Sequence, residues 1–456
     1  MDAQEKKYKQ MTEPPVEKLI CKLAVPCIIS MLVTSFYNMA DTFFVGMLKS
    51  NAATGAVGVV FSMMAIIQAV GFFFGQGSGT FISRALGTKD YEGASQMAAT
   101  GFFSALGAGT LICILGQIFL EPLAYLLGST DTILPHTKAY LGVILLGAPW
   151  MTASFVLNNQ LRFQGGAMYA MVGITTGAVL NIILDPICIF WLDLGVAGAG
   201  WATIVSQFVS FCMLLIGCSK GGNIAISIRN FRFKAHYYYM ILRGGLPSLA
   251  RQCLSSLATI TLNNAARPFG DAVIAAMGVV QRISMFGASA MLGFGQGFQP
   301  VCGFNYGAKL YDRVKKGFWF SVKISTVVLF GVAALGYAFA PQLIALFRDD
   351  PAVIACGTAA LRFQCLSFPT HGWIVMSNMM EQSMNRTVSA TFMSVARQGL
   401  FFIPALLILP LMFELLGIQM SQAVADVFAI AVTTWMFCKV NKEMHTEMAK
   451  MQNENK

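Results

Sequence analysis

The chain has 456 residues, 56% of them hydrophobic and only 11% charged, with a mean hydropathy of +0.64. A soluble domain carries about 25% charged residues, so a globular enzyme with a single anchor is excluded and a polytopic helical membrane protein is expected. The net charge of +10 reads as Lys and Arg collected in cytoplasmic loops, and no nucleic-acid partner is expected.

A spanning helix needs about 20 apolar residues, which leaves room for about a dozen spans. Met1 to Val16 is polar and charged. It lacks the short apolar stretch and small-residue cleavage site of a secretory signal. The first span is expected from Leu19 to Leu48, with Pro26 near one end and Asp41 towards the other. The second runs from Gly55 to Ser83 and closes on Arg84. Gly93 to Leu120, Ala139 to Gln160, Ala170 to Trp191 and Val196 to Cys218 follow as spans three to six. The polar stretch Ser219 to Arg243 contains Gly221-Gly222, Lys220, Arg229, Arg232 and Lys234, and reads as a linker.

The second half repeats the first. Gly75-Gln76-Gly77 recurs as Gly295-Gln296-Gly297, an offset of 220 residues. At the same offset Gly58 meets Gly278, Gly87 meets Gly307, Lys89 meets Lys309, Tyr91 meets Tyr311 and Ala170 meets Ala390. Pro26 meets Pro247 within one residue. This duplication predicts six further spans: Gly244–Ala266, Ala275–Gly303, Phe318–Ala340, Ala352–Met376, Ala390–Met412 and Leu415–Cys438. The expected fold is an all-α polytopic membrane protein, with twelve transmembrane helices in two pseudo-symmetric six-helix lobes around a central cleft. The divisions are a cytoplasmic tail (1–15), an N-lobe (16–218), a linker (219–243), a C-lobe (244–440) and a second tail (441–456). A monomer is expected.

Loop charge sets an orientation. Lys6, Lys7, Lys9, Lys18 and Lys22 precede or open the first span, and Arg84, Lys89, Arg162, Lys309, Arg313, Lys315, Lys316 and Arg386 follow even-numbered spans. The opposite loops carry Glu121, Asp131, Asp193, Asp271, Asp349, Asp350 and Glu414. Both termini are therefore expected in the cytoplasm of a cell whose plasma membrane the chain crosses. The 11 cysteines form no CxxC pair, so neither a zinc nor a redox site is indicated.

Asp41 and Asp185 lie inside apolar spans, where an ionised carboxylate costs roughly 2.5–3.5 kcal/mol on insertion scales. Asn181 precedes Asp185 by four residues and shares its helical face, and Asn38 stands three before Asp41. Pro186 breaks the backbone just after the acid. Thr203 in the next span and Tyr140 in the fourth add hydroxyls. Two nearby carboxylates in a low dielectric cannot both stay ionised cheaply, so one should hold a proton or bind a cation. In the second lobe Asp41 becomes Thr261, and no Asp or Glu is expected deep in its spans. Its polar candidates for a substrate cleft are Gln281, His371 and Asn378. Arg251 and Arg282 are read as snorkelling near cytoplasmic ends. His371 is an intramembrane histidine that serves either function or local hydrogen bonding.

These residues carry a resemblance. Leu180-Asn181-Ile182-Ile183-Leu184-Asp185-Pro186, followed by Gly195 to Thr203, is similar to the span-five to span-six signature of multidrug and toxic compound extrusion (MATE) transporters. Tyr37 to Gly46 resembles the first-span motif, and Ile82-Ser83-Arg84-Ala85-Leu86-Gly87 the close of the second span. The likeness covers nearly the whole chain and is strongest to the DinF/MepA-like branch. It implies an antiporter for organic cations and other amphipathic drugs, coupled to protons or sodium. It also implies that Asp41, Asn181, Asp185, Thr203 and Tyr140 form an N-lobe coupling site, with sodium at Asp41, Asn181, Asp185 and Thr203 as the one metal to consider. No other cofactor is expected.

A flippase for a polar-headed lipid is the competing reading. Its cleft would want several bases facing a pyrophosphate, and most Lys and Arg here sit at span ends. No HExxH, GxSxG or GxxxxGK[ST] motif occurs, so neither an enzyme nor direct ATP drive is expected. The charge bias also makes a topological prediction. On a cysteine-free background, single cysteines at 229 and 315 should resist an impermeant thiol reagent in intact cells, whereas those at 131 and 349 should react. Labelling at 229 but not 349 would reverse the orientation.

Overall fold

The structure is a computed structural model that describes residues 3–48 and 50–454. The outer ends of the two expected tails, 1–2 and 455–456, lie outside the described residues. A short amphipathic helix, α1 (Ala3–Thr12), precedes six spans: α2 (Val16–Gly46), α3 (Asn51–Gly87), α4 (Tyr91–Ile118), then past the short α5 (Leu120–Leu126) α6 (Leu134–Phe163), α7 (Ala167–Pro186) and α8 (Gly195–Cys218). After the linker come α9 (Ala235–Ala266), α10 (Asp271–Gly307), α11 (Tyr311–Ala338), the short α12 (Ala340–Phe347), α13 (Pro351–Ser367) with its continuation α14 (His371–Ser383), α15 (Thr387–Val395) and α16 (Ile403–Glu454).

Ten stretches among the described residues are long and apolar enough to cross a bilayer. Two features bring the count to twelve. The repeat supplies α9, which is too polar for that criterion because it carries Arg243, Arg251 and a pair of asparagines, Asn263-Asn264. The last stretch, Thr387–Met444, is two spans divided at Glu414, whose φ of 48° breaks the helix. Spans eleven and twelve are therefore the α15–α16 run before and after that turn.

Helix ends follow ordinary chemistry. Ser50 Oγ accepts from the Ala53 N–H at 3.2 Å and Asp90 Oδ1 from the Gly93 N–H at 2.9 Å, each satisfying a donor that the first turn leaves free. Pro26 sits inside α2, and Ser30 Oγ donates to the Pro26 carbonyl at 2.9 Å. The repeat is visible in the turns as well. Lys89 and Lys309, 220 residues apart, both adopt positive φ, 61° and 59°.

The two lobes meet along α2, α3, α9 and α10, closest at the end where both termini lie. Small residues set the approach. A Cβ on Gly77 would stand 2.3 Å from the Ile241 carbonyl oxygen of α9, and one on Gly297 would stand 2.4 Å from Ala24 Cα of α2. These are repeat-equivalent positions, so each lobe offers one glycine to the other lobe's first span. Farther along the seam the Ser35 and Ser289 hydroxyls are 3.1 Å apart, and the Phe36 and Phe286 rings meet edge-on at 5.6 Å. At the termini end α1 straps the lobes. Lys7 hydrogen-bonds Asn223 of the linker, Asn305 Nδ2 donates to the Met11 carbonyl at 3.3 Å, and Arg313 Nη2 donates to the Pro14 carbonyl at 2.7 Å. Burial under this strap lowers the Lys7 ammonium to about 8.

The seam glycines make a direct prediction. Overpacking typically costs about 1–3 kcal/mol, so Gly297→Val should lower the thermal midpoint of the purified protein and cut transport. Gly278→Ala, whose added Cβ meets nothing within 4 Å, should leave both unchanged. Thermal-shift and flux measurements on the two variants check this.

Candidate functional site

α7 carries Asn181 and Asp185 on one face and ends at Pro186. The chain continues through a π-helical turn, Ile187–Trp191. Proline leaves the Ile182 carbonyl without its helical partner, and the wider turn absorbs the disruption. Both Asn181 and Asp185 are buried, as is Thr203 on α8. The Asn181 amide nitrogen donates to Asp185 Oδ2 at 3.0 Å, and its oxygen accepts the Thr203 N–H at 3.3 Å. The reverse orientation would set oxygen against oxygen.

Asp41 comes to the same place from α2 and is buried. It interacts electrostatically with Asp185, and no cationic side chain among the described residues acts on either carboxylate. Asp41 Oδ1 and Asp185 Oδ1 are both buried and find no protein donor. Tyr140 enters from α6. A Cβ at Gly200 would lie 2.9 Å from its Cδ2, so glycine there lets the ring pass between α6 and α8. Its hydroxyl interacts with Thr203 and with both acids.

Two members of this cluster were not singled out from sequence. Tyr37, one turn before Asp41 on the same face of α2, interacts through its hydroxyl with Thr203 and Gln207 and feels both acids. Gln207 lies one turn after Thr203. The i,i+4 relation that links Asn181 to Asp185 was available for both. Asn38 is half-buried on α2. All donors here are oxygen or neutral hydrogen-bonding groups, which suits a proton or a hard cation. Among the described residues no group of three or more His, Cys, Asp or Glu is placed to hold a metal.

The C-lobe corrects the expectation that it holds no deep acid. Asp426 on α16 and Glu381 on α14 are both 0% exposed. Asp426 stood in plain view in an apolar run, Ala425-Asp426-Val427-Phe428. It escapes notice only if the repeat is trusted to place acids where the first lobe has them. Its partners are His371 and Arg397. Asn378 turns into its own lobe, donating to the Ala390 carbonyl at 2.6 Å and to Ser394 Oγ at 3.0 Å. Gln281 is half-buried on α10. Arg251 and Arg282 are mid-helix on α9 and α10 rather than near helix ends.

The MatE family profile matches residues 26–187 and 247–407, one stretch in each half. The multidrug export protein MepA of Staphylococcus saprophyticus is 29% identical over 90% of this chain and 91% of its own length. A solved structure described as the outward-facing conformation of a multidrug resistance MATE family transporter is 26% identical. It covers 96% of this chain and 98% of its own, with a TM-score of 0.90. A crystal structure of MATE in complex with MaL6, also 26% identical, covers 97% and 99% with a TM-score of 0.91. Matched by the profile in both halves and by these structures over nearly its full length, the chain belongs to the MatE family of membrane transporters.

Proposed function

We propose that this protein is a secondary active antiporter that exports amphipathic, often cationic, compounds in exchange for protons or sodium ions, with Asp41 and Asp185 as the coupling groups. It works from the plasma membrane with both termini cytoplasmic. The observation that carries the reading is a pair of buried carboxylates that act on one another and have no cation of their own. Carboxylates so placed are costly, and something that comes and goes must compensate them. A proton, a sodium ion and the positive charge of a drug are the three candidates.

Exclusive occupancy of one negative site is sufficient for exchange. The ionised pair attracts a lipophilic cation. A proton or sodium ion entering from the other side neutralises the pair, and the drug loses its counter-charge. By linkage the effect is reciprocal, so bound drug also weakens the ion. Asn181 fixes one oxygen of Asp185, while Thr203, Tyr37 and Tyr140 supply neutral donors that steady the ionised state without cancelling it. Once neutralised, the site no longer needs an aqueous cavity, and the spans around it close. The relative described as a multidrug export protein supports the substrate class.

Asp41→Asn and Asp185→Asn should each abolish gradient-driven export while leaving membrane insertion and thermal stability intact. Thr261→Val, at the repeat-equivalent of Asp41, should remain coupled. The measurement is drug flux by purified protein in vesicles, with pH and sodium gradients imposed separately. Full coupling in Asp41→Asn would remove the N-lobe acids from the mechanism. Substrate choice has its own test: a lipophilic cation should bind more tightly than a neutral analogue of equal size, by about tenfold if the carboxylate contact supplies about 1.4 kcal/mol. Equal affinities would mean that the acids do not sense the substrate.

A further inference from the structure

The C-lobe holds a second charged cluster that the coupling reading does not use. His371 Nε2 lies 2.8 Å from Asp426 Oδ2, Arg397 Nε lies 2.8 Å from Asp426 Oδ1, and Arg397 Nη2 lies 2.8 Å from His371 Nε2. Asp426 also accepts from Ser367 Oγ at 2.8 Å and from Gln422 Nε2 at 3.1 Å. Arg397 Nε, Ser367 Oγ and Gln422 Nε2 are three definite donors, which suits an ionised carboxylate, so Asp426 is fixed as the anion of the group.

One imidazole nitrogen therefore faces two incompatible neighbours. The guanidinium can only donate, and the carboxylate, as bonded here, can only accept. A bare Nε2 satisfies Arg397 and turns its lone pair on Asp426. A protonated Nε2 satisfies Asp426 and sets N–H against N–H at Arg397. No tautomer meets both contacts. The side chains of His371 and Asp426 are 5% and 0% exposed, whereas that of Arg397 is 22% exposed. Arg397 thus has room to move. It stands in a π-helical turn, Ala396–Phe402, a backbone form that often marks functional sites.

The charged groups that face His371 are Arg397 and Asp426. Ser367 and Phe368 from the end of α13 are neutral, as is Thr326 of α11, whose Oγ1 would lie 3.0 Å from a Cβ on neighbouring Gly372. Helix α9 packs Leu254 against Gly399 of the π turn, and its Arg251 acts on none of the three. The cluster is not a relic of the repeat. At the offset of 220, His371, Arg397 and Asp426 correspond to Met151, Gly177 and Ser206. There the N-lobe has plain packing, with the Ser206 carbonyl oxygen 3.1 Å from where a Gly177 Cβ would be.

We propose that His371, Arg397 and Asp426 form a second proton-binding site, in the C-lobe, which couples proton capture to release of a cationic substrate. A proton delivered by hydronium adds to the Nε2 lone pair of the neutral imidazole: one N–H bond forms, one O–H bond breaks, and water is left. The new N–H donates to Asp426 Oδ2. Arg397 Nη2 then leaves Nε2, while its Nε retains Asp426 Oδ1. The net charge of the cluster rises from zero to one, in a low-dielectric setting where a drug cation is repelled most strongly. The inference rests on the cation-export reading above, but the proton is held at a different place from Asp41 and Asp185.

The test uses the full-length protein in lipid nanodiscs. The chain has four histidines, so the triple variant His136→Gln, His236→Gln, His445→Gln leaves His371 as the one signal in a 15N-histidine NMR spectrum. Between pH 9 and pH 5 its nitrogens should pass from one bare and one protonated to both protonated. Arg397→Gln, which removes the competing donor, should move that midpoint up by at least about one pH unit, since the expelled like charge opposes the proton. An imidazole that stays neutral, or stays charged, across the whole range overturns the proposal. Linkage is read from the Kd of tetraphenylphosphonium at pH 8 and pH 6. His371→Gln, which keeps a donor for Asp426, should shrink that Kd ratio by about tenfold, out of the hundredfold that one proton can supply over two pH units. An unchanged ratio, in a variant whose melting temperature is unaltered, also overturns the proposal. The N-lobe reading fails separately, by an unchanged ratio in Asp41→Asn.

Discussion

An anion buried in a hydrocarbon layer without a cation beside it is the constraint on which the rest of this molecule depends. Asp41 and Asp185 are both buried, and no basic side chain acts on them. Water, neutral donors or a mobile cation are the only ways to hold such a pair, and each demands a walled cavity within the lobe. The local sequence builds that wall. Pro186 ends the α7 helix beside the acid, Gly200 admits Tyr140, and Asn181 bridges Asp185 to the Thr203 backbone. Remove the requirement to house an uncompensated charge and none of these features has a reason to converge.

The C-lobe solves the same problem in the opposite way. Asp426 carries its own guanidinium and two neutral donors, with His371 Nε2 against its remaining oxygen. A fully hydrogen-bonded buried pair recovers much of the desolvation cost that a lone ion cannot. Such an acid needs no transported ion to stay ionised. The interest moves to the imidazole, which has one nitrogen for two demands. The lobes therefore share a fold but divide the electrostatics. One leaves a negative site open, and the other closes a neutral cluster around a group that can gain a positive charge.

Much of this was legible in the sequence. Composition fixed the class, and the 220-residue repeat recovered α9 where apolarity alone does not. The spacing of Asn181 and Asp185 placed them on one face, and the structure sets the Asn181 amide 3.0 Å from Asp185 Oδ2. What escaped has a physical explanation. Tyr37 and Gln207 stand four residues from Asp41 and Thr203, a spacing that marks a shared face but not which contacts across helices it serves. The link from Tyr140 to the site depends on an absent side chain at Gly200, which no pattern of polar residues reveals. Asp426 was obscured by symmetry, for a repeat predicts shared backbone and not shared chemistry. Arg397 and His371 lie on successive helices separated by a turn, so periodicity along one helix cannot pair them.

The placement of Asp41 gives the proposed coupling a route from the site to the lobe interface. Helix α2 carries Asp41 near one end and lies in the interlobe seam at the other, where Ala24 packs against Gly297. Ser35 and Phe36, between these points, touch Ser289 and Phe286 of the other lobe. Pro26 interrupts the ladder of the same helix, beside the seam contact rather than beside the acid. A straight helix clamped at both ends would resist a change in the cavity. A helix weakened at Pro26 can bend there and leave the glycine contact in place. In that proposal, neutralising Asp41 removes the electrostatic cost at one end of a lever whose softest point adjoins the lobe interface. Two discrete packings of α2 against α10, rather than continuous strain, are what close-packed interiors permit. Under the antiport proposed above, the carboxylate biases a two-state element, and the proton or sodium ion that neutralises it is thereby linked to the side of the membrane on which the cleft opens.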